Sequence, residues 1–275
     1  MKAPLLNLDL ARCIELAEAR AAVDCAESVQ RLKPSVGAAV KPIAGGFAVY
    51  CGAGSPVTQA VGLGLHGLVT DEEFHGLEEF YRSRGETVRV ETCPLADASL
   101  IEQFGKNGYR VTEFSNVMAR PLTDAENLGD SAHMPSGVTV EKIGPGQVDL
   151  WTLTVTQGFS EQLAVTQELL ETMRMFSAGP KVECYLARVD GAVAGGATLW
   201  IREGIAGIFG ASTLPAFRNR GVHTALLHTR LARAAAAGCQ LAACLAQPGS
   251  TSQRNVMRQG FSVLYTRVKF ERPWS

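Results

Sequence analysis

The sequence predicts an α/β fold of the mixed α+β type, with two domains that each hold a mixed, mostly antiparallel sheet flanked by helices. Three observations support this prediction. Hairpin-like strands precede strand–helix–strand units, and this order favours a mixed sheet covered by helices. The two halves repeat one plan, with a polar segment between them. At 275 residues, 46% of them hydrophobic, the chain is long enough to form two cores.

The repeat is visible in the order of its landmarks. Residues 75–122 and 224–273 each read as an amphipathic helix, a glycine, an apolar strand, a proline, a second helix, a glycine-aromatic pair and a final strand. The matched pairs are Gly85 with Gly238, Pro94 with Pro248, and Gly108-Tyr109 with Gly260-Phe261. This ordered set of matches indicates a duplication, which one shared glycine would not.

The boundary between the halves is marked by composition. Residues 123–137 are polar and small, with few large apolar side chains, which is typical of a surface linker. We therefore predict a first domain over residues 1–124, a linker over 125–137 and a second domain over 138–275.

Local patterns place the remaining elements. A helix is predicted over 8–32, because this stretch is alanine-rich, has apolar residues at three- and four-residue spacing, and stops before Pro34. Strands are predicted over 36–51 and 57–65, with a Gly-Ser-Pro turn between them. In the second half we predict helices over 146–158 and 166–176, strands over 182–189, 192–201 and 205–213, and a tight hairpin turn at Asp190-Gly191.

Charge and cysteine content limit the function. The formal net charge is -1, so no basic field favours nucleic acid or an anionic membrane as the partner. The seven cysteines are scattered without C-x-x-C pairs, and the histidines lack ligand spacing, which argues against disulfides and against a metal. Neither a signal peptide nor a run of about 20 apolar residues is present. We expect a cytoplasmic protein that acts on a small molecule or a peptide.

Residues 218–224, Arg-Asn-Arg-Gly-Val-His-Thr, form the most informative segment. A strand is predicted before it and a helix after it, so several backbone NH groups would point to one spot at the positive end of the helix dipole. Gly221 allows close approach of the backbone, and Arg218 and Arg220 add positive charge. The segment therefore has the properties of a pyrophosphate-binding loop.

This loop resembles motif A of the GNAT-type N-acetyltransferases, [QR]-x-x-G-x-[GA]. Arg218 and Gly221 match its first and fourth positions, whereas His223 departs at the sixth. Pro215 and Phe217 before the loop, and the helix, strand and Gly-Phe pair after it, follow the family's order. The resemblance implies a tandem GNAT arrangement and acetyl-CoA as the acyl-donor substrate.

The resemblance also implies which residues contact the donor. The strand before the loop would use backbone groups to hold the pantetheine arm, and the segment around 247–255 resembles motif B, which flanks CoA. The implied contacts are Ala211, Ser212, Thr213, Arg218, Arg220, Gly221, Val222, His223, Thr224, Ser252 and Asn255. The alternatives are an ordinary buried strand for the first three, and helix capping for the motif B polar residues.

Acetyl transfer also needs a base for the amine proton and an acid for the departing thiolate. The family commonly places an acid on the central strands, but residues 205–213 contain none, so Glu203 is the candidate base and Glu183 a weaker one. Val256 stands where many members have a tyrosine, and Tyr265 is the candidate replacement as proton donor. Solvated strand-end charges and a half-buried aromatic are the alternative interpretations.

The first half lacks the features of a phosphate loop. At the corresponding place, residues 65–74 contain no arginine, and Asp71, Glu72 and Glu73 crowd the start of the helix. Carboxylates there cap the helix and repel a pyrophosphate. We therefore expect a degenerate, non-catalytic copy that packs against the second half or lines a substrate cleft.

Three functions follow from these observations. The first is an N-acetyltransferase that transfers an acetyl group directly from acetyl-CoA to a primary amine of a small molecule, amino-acid derivative or peptide. The second is a CoA-binding pseudoenzyme or sensor, and the third is a protein-interaction module. In the family the acceptor site is formed by residues corresponding to 157–179, although Phe159 and Met173 there also fit a helix core. Either half offers an edge strand for a homo-oligomer.

Overall fold

The computed structural model describes residues 4–122, 134–159 and 165–273. The helices are α1 Leu8–Leu32, α2 Asp71–Arg82, α3 Ala98–Lys106, α4 Val148–Gly158, α5 Gln167–Ser177, α6 Val222–Ala236 and α7 Thr251–Met257. The strands are β1 Ala39–Ile43, β2 Gly46–Tyr50, β3 Gln59–Val61, β4 Val88–Thr92, β5 Arg110–Pro121, β6 Val138–Lys142, β7 Val182–Val189, β8 Ala192–Arg202, β9 Ile205–Thr213, β10 Leu241–Ala246 and β11 Ser262–Arg272. None of the described helices is both long and apolar enough to cross a membrane.

The described residues form two compact units. One, here called the N-terminal unit, contains residues 4–119 and 245–273, and the other, the central unit, contains the described residues between 120 and 244. The predicted domains, 1–124 and 138–275, follow the sequence repeat and thus differ from these units in where the last 29 described residues are placed. The predicted linker, 125–137, lies mostly outside the described residues.

The N-terminal unit has the strand order β1-β2-β3-β4-β11-β5. Strands β3 and β4 are parallel, and the other neighbours are antiparallel. Helix α1 begins as predicted, because the Asn7 side chain accepts a hydrogen bond from the Leu10 NH at 2.8 Å. The main core lies between the sheet and helices α2 and α3, and includes Phe74, Leu77 and Phe104.

Two predicted strands of the first half are shorter in the structure. Instead of one strand over 36–51, the chain forms a short 3-10 turn and the β1–β2 hairpin, which reverses at Ala44-Gly45 with φ of 47° and 79°. The strand over 57–65 is reduced to β3, because Gly62 and Gly64, with φ of 80° and 72°, turn the chain away. Both differences arise at glycines that adopt left-handed backbone angles.

Strand β11, the last strand of the chain, lies between two strands of the first half. It forms five residue pairs with β4 and nine with β5. Phe270 on β11 stacks on Phe104 of α3, with ring centroids 4.3 Å apart. The order α2–β4–α3–β5 nevertheless matches the order α6–β10–α7–β11, as the sequence repeat predicts.

The central unit has the strand order β10-β9-β8-β7-β6, in which only β9 and β10 are parallel. Adjacent glycines on β8 show that helices α4 and α6 cover opposite faces. A Cβ added to Gly196 would lie 2.7 Å from Val155 on α4, and one added to Gly195 would lie 2.9 Å from Val222 on α6. Trp151 of α4 is fully buried in the core on its face. The predicted mixed α/β fold is therefore confirmed.

Candidate functional site

Strands β9 and β10 of the central unit pair over only three residues. The register starts at Ile205 with Leu241 and ends at Gly207 with Ala243, whereas β9 continues to Thr213. The first four residues of β9 are buried, and those from Phe209 on are mostly half-buried. The second half of β9 therefore has backbone groups on the β10 side that are available to an extended ligand.

A β-bulge bends β9 at this place. Between β8 and β9 the register passes from Thr198–Phe209 to Gly196–Ser212, which leaves Gly210 and Ala211 opposite a single residue. Gly210 has φ of 55°, a left-handed angle that glycine adopts without strain. The bulge lies where the pairing with β10 has already ended, so the bend and the opening belong to the same segment.

The loop after β9 leads into α6 through unusual backbone angles. Asn219 has φ of 61°, and Gly221, the N-cap of α6, has φ of 79°. The first helical hydrogen bond runs from the Ala225 NH to the Gly221 carbonyl at 2.9 Å, and among the described residues no side chain caps the helix. A Cβ on Gly221 would overlap the ring of Pro135. The first NH groups of this 15-residue helix are thus left for an anion.

Charged side chains surround this helix start. Arg218 and Arg220 are exposed. Arg220 Nη2 lies 2.7 Å from Asp190 Oδ2 in the β7–β8 turn, in an ion pair with 47% and 67% of the two side chains exposed. Because exposed pairs contribute little stability, an anionic ligand can compete for Arg220.

His223 occupies the first turn of α6. Burial, and to a lesser extent the charge of Arg230, lower the pKa of the His223 imidazole to about 4. The imidazole is therefore neutral near pH 7. A neutral ring in this position leaves the backbone NH groups as the main donors at the helix start.

The corresponding helix start in the N-terminal unit is closed. Thr70 and Glu73 form a reciprocal capping box, with the Glu73 NH 3.2 Å from Thr70 Oγ1 and the Thr70 NH 2.9 Å from Glu73 Oε2. Asp71 accepts a hydrogen bond from Gln103. Of the three acids predicted to cap α2, Glu73 does so, together with Thr70, and this capping box occupies the place that a phosphate would need.

The structure brings most of the predicted donor-site residues together. Ala211, Ser212 and Thr213 form the end of β9 past the bulge, and residues 218–224 follow within the same unit. The Ser212 hydroxyl donates to the Val155 carbonyl of α4 at 2.9 Å. Its side chain is thus used in packing, which leaves the backbone of this strand end for ligand contacts.

The predicted motif B residues lie in the N-terminal unit, on the seven-residue helix α7. Ser250 caps this helix by accepting from the Gln253 NH at 3.1 Å, as the capping interpretation predicted. Ser252 is exposed, and Asn255 accepts a hydrogen bond from Arg258 at 3.1 Å. Val256, at the position of the family's tyrosine, is buried.

The two candidate bases occupy different surroundings. Glu203 is exposed in the β8–β9 turn, at the end of β9 opposite the loop. Glu183 accepts hydrogen bonds from Tyr185 at 2.6 Å and Arg233 at 2.8 Å. Lys142 lies 3.0 Å from it. Although burial raises the pKa of Glu183, these partners outweigh it and leave the pKa lowered. Glu183 is therefore an ion-pair partner. The positions of Glu203 and Glu183 do not favour either residue as a base beside the second half of β9.

Tyr265 lies in a buried network of the N-terminal unit. Its hydroxyl donates to Glu15 Oε1 at 2.8 Å, and Arg267 Nε donates to the same oxygen at 2.7 Å. All three residues are at most 6% exposed. Burial first, and then the Glu15 charge, raise the pKa of the Tyr265 hydroxyl. The contacts fit a structural hydrogen bond to a buried carboxylate.

Two side chains that the sequence analysis did not identify hold the bulge. Arg230 of α6 is fully buried, and its Nη1 donates to the carbonyls of Thr198 at 3.0 Å and Phe209 at 3.2 Å. Trp151 Nε1 donates to the Ala197 carbonyl at 3.2 Å from the other face. The signal for Arg230 was its position on the apolar face of an amphipathic helix, where arginine is uncommon.

Other candidates are accounted for by packing. Phe159 and Met173 pack against the core around Trp151, as the helix-core interpretation predicted. Cys244 is buried, and burial raises the pKa of its thiol to about 12, which disfavours a nucleophile. Among the described residues, no cluster of three or more His, Cys, Asp and Glu side chains has the arrangement of a metal site.

A bulged strand that leads into a basic helix start is a surface suited to an elongated, anionic ligand. Residues 150–261 match the family model described as the acetyltransferase (GNAT) family. The resemblance recognised at residues 218–224, which lie within this match, is therefore confirmed. No curated protein matches the chain in sequence.

Solved structures show the same fold over most of the chain. A GCN5-related N-acetyltransferase from Kribbella flavida has 14% identity and a TM-score of 0.66, with 94% of this chain and 96% of that chain covered. A tandem GNAT protein from the clavulanic acid biosynthesis pathway has 14% identity and a TM-score of 0.59, with 99% and 89% covered. At these identities the likeness shows the fold alone.

Proposed function

We propose that this protein is an N-acetyltransferase that uses acetyl-CoA as the acyl donor and a primary amine of a small molecule, amino-acid derivative or peptide as the acceptor. One observation carries the proposal. The β9–β10 pairing stops at Gly207–Ala243, while β9 continues through a bulge to a helix start without a side-chain cap. An elongated ligand with amides along its length and phosphates at one end suits such a surface.

The donor would lie along the central unit in a definite direction. Backbone groups of residues 211–213 would pair with the amides of the pantetheine arm, as one strand pairs with another. The NH groups of Val222, His223 and Thr224 would bind the pyrophosphate, with Arg218 and Arg220 adding charge. His223 is neutral near pH 7, so its side chain adds no charge and the positive charge of the site comes from the two arginines.

Direct transfer then requires attack of a neutral amine on the thioester carbonyl. The amine nitrogen forms the new C–N bond and gives up one proton to a base or to water, the C–S bond breaks, and the departing thiolate takes up a proton. NH groups on the splayed strand stabilise the negative charge that develops on the carbonyl oxygen. Glu203 and Tyr265 remain the sequence candidates for proton transfer, and Glu203→Gln and Tyr265→Phe in the turnover assay test them.

The first experiment measures binding. We expect acetyl-CoA to stabilise the protein in a thermal-shift titration and to bind at a single site by calorimetry. Arg220→Ala should weaken binding about three- to tenfold through the loss of one phosphate-facing charge. Arg188→Ala is the matched control, because Arg188 is a half-buried arginine of the central unit that is likewise paired with a carboxylate, Glu141. Equal effects of the two substitutions would contradict the donor site.

The second experiment measures turnover as release of free thiol from acetyl-CoA across a panel of amines. Turnover with at least one amine, reduced by Arg220→Ala and unchanged by Arg188→Ala, is the expected outcome. The other candidate function, a CoA-binding sensor, is favoured by the buried Val256 at the family's tyrosine position. Binding of acetyl-CoA at one site without turnover of any amine would support the sensor, and absence of binding would refute both functions.

A further inference from the structure

The interior of the central unit contains a cation without a carboxylate partner. Arg230 is fully buried, two turns after the start of α6, and in the part of the chain that the structure describes no acid forms an ion pair with it. Its Nη2 is also buried and has no hydrogen-bond partner there. Burial of a charge is unfavourable unless polar groups surround it. The partners of Arg230 therefore indicate what it does.

Those partners are backbone carbonyls at the bulge. Nε donates to the Leu226 carbonyl of its own helix at 3.0 Å, which fixes the side chain against α6. Nη1 donates to both Thr198 and Phe209, the last residue pair of the β8–β9 ladder before the register shifts. One guanidinium thus joins the helix to both strands at the point where β9 starts to bend.

The other face of the sheet fixes β9 after the bend. Ser212 is bonded to the Val155 carbonyl, and a Cβ on Gly158 would overlap the Ser212 hydroxyl, so α4 packs closely on this residue. The bulge at Gly210 and Ala211 lies between the two fixed points, Phe209 and Ser212. Its shape is therefore determined by one contact from each face.

We propose that Arg230 is a positioning residue for the acyl donor: by binding the Thr198 and Phe209 carbonyls it holds the β9 bulge open, so that residues 211–213 present their backbone groups to the pantetheine arm. This inference rests on the proposed function. A cation suits the task because charge-assisted hydrogen bonds to carbonyls are stronger than neutral ones, and a guanidinium reaches two acceptors in one plane. Arg230 itself touches neither reacting group.

The test compares Arg230→Met with Leu231→Ala. Leu231 is the next residue on α6, is 2% exposed and has no hydrogen bond to the bulge, so its truncation destabilises the same helix without changing the proposed contact. In the protein without ligand, hydrogen exchange of the amides of residues 210–214 should rise at least about tenfold more in Arg230→Met than in Leu231→Ala. Equal exchange in the two variants would overturn the proposal.

Binding and kinetics supply the second readout. Arg230→Met should weaken acetyl-CoA binding and raise its KM about ten- to thirtyfold, the loss expected when a charge-assisted hydrogen bond no longer holds a binding surface. The KM for the amine should stay within about twofold, and Arg230→Lys should restore part of the affinity. Equal changes in both KM values, or in Leu231→Ala, would contradict a positioning role.

The two proposals fail in different ways. If the unaltered protein binds no acetyl-CoA, the proposed function is refuted, whereas the exchange measurement still decides whether Arg230 holds the bulge. If Arg230→Met does not fold, Arg230→Lys and Trp151→Phe take its place. The latter removes the indole NH bond to the Ala197 carbonyl together with part of the buried ring, and it should raise exchange at the same amides by a smaller factor.

Discussion

Removal of the Tyr265 hydroxyl separates a structural from a catalytic role for this residue. The hydroxyl donates to the buried Glu15 carboxylate at 2.8 Å, and Arg267 donates to the same oxygen at 2.7 Å. In Tyr265→Phe the carboxylate retains Arg267 but loses one charge-assisted bond. Such a bond contributes about 1.5–3 kcal/mol, and the remaining partner places the loss at the lower end, about 1–2 kcal/mol.

The assay is urea unfolding followed by a signal of the N-terminal unit, together with thiol release in the presence of an active amine. We expect the stated loss of unfolding free energy and less than about a threefold change in kcat. A general acid would instead contribute about a hundredfold or more.

The matched control is Tyr109→Phe, which removes a hydroxyl bonded to Glu78 at 3.3 Å in the same unit. A longer bond at a less buried site should be worth less, so this variant should lose under about 1 kcal/mol. A hundredfold loss of kcat in Tyr265→Phe, with stability unchanged, would refute the structural role and support the proton donor that the sequence predicted.

Three further predictions concern the loop. Asp190→Asn keeps a residue suited to the left-handed turn, where φ is 50°, but removes the carboxylate that binds Arg220. Acetyl-CoA should therefore bind about two- to fivefold more tightly, as measured by calorimetry. Weaker binding would contradict the idea that Asp190 competes with the donor for Arg220. The pKa of His223 is about 4 in the folded protein and near 6.5 in the unfolded chain, so between these pH values only the unfolded state binds the extra proton. The contribution of His223 to the free energy of unfolding is therefore complete above pH 6.5 and is lost as the pH falls towards 4. The loss is at most about 3 kcal/mol and smaller for a partly exposed ring. In His223→Gln, the free energy of unfolding measured in urea should no longer fall between about pH 7.5 and about pH 5 by this amount. Parallel pH profiles of the two proteins would refute the assignment to His223. Gly221→Ala forces a Cβ into a left-handed residue and against Pro135, which should cost about 1–2 kcal/mol in backbone strain alone and abolish donor binding; a variant with normal melting temperature and affinity would show that the loop tolerates the change.

The sequence predicted the elements whose patterns are local. Strands β7 and β9 and helix α1 have the predicted bounds, because alternation, helical spacing and caps act over a few residues. The β1–β2 hairpin was missed, since residues 36–51 were read as one strand and the turn at Ala44-Gly45 within them was not recognised. The family resemblance was recognisable because the loop is short and its backbone requires a glycine at position 221.

The remaining features depend on contacts distant in sequence. Nothing near Tyr265 in the sequence indicates that its hydroxyl donates a hydrogen bond to Glu15, 250 residues away. The bulge partners of Arg230 lie 21 and 32 residues away on two strands. The sequence therefore shows that an arginine lies on the apolar face of a helix, but only the fold shows which carbonyls accept its hydrogen bonds. The placement of β11 is of the same kind, since strand neighbours are not encoded by local periodicity.

The position of β11 has a consequence for how such a chain can change over generations. The first copy has filled its phosphate position with the Thr70–Glu73 capping box, so this helix start does not offer its NH groups to a donor. Yet the last strand of the second copy has both of its sheet neighbours, β4 and β5, in the first. A deletion of the first copy would expose that strand, and a truncation of the second would split the first copy's sheet. Neither copy can therefore be lost without disrupting the sheet of the other. This dependence is a structural reason for keeping a copy without a phosphate loop.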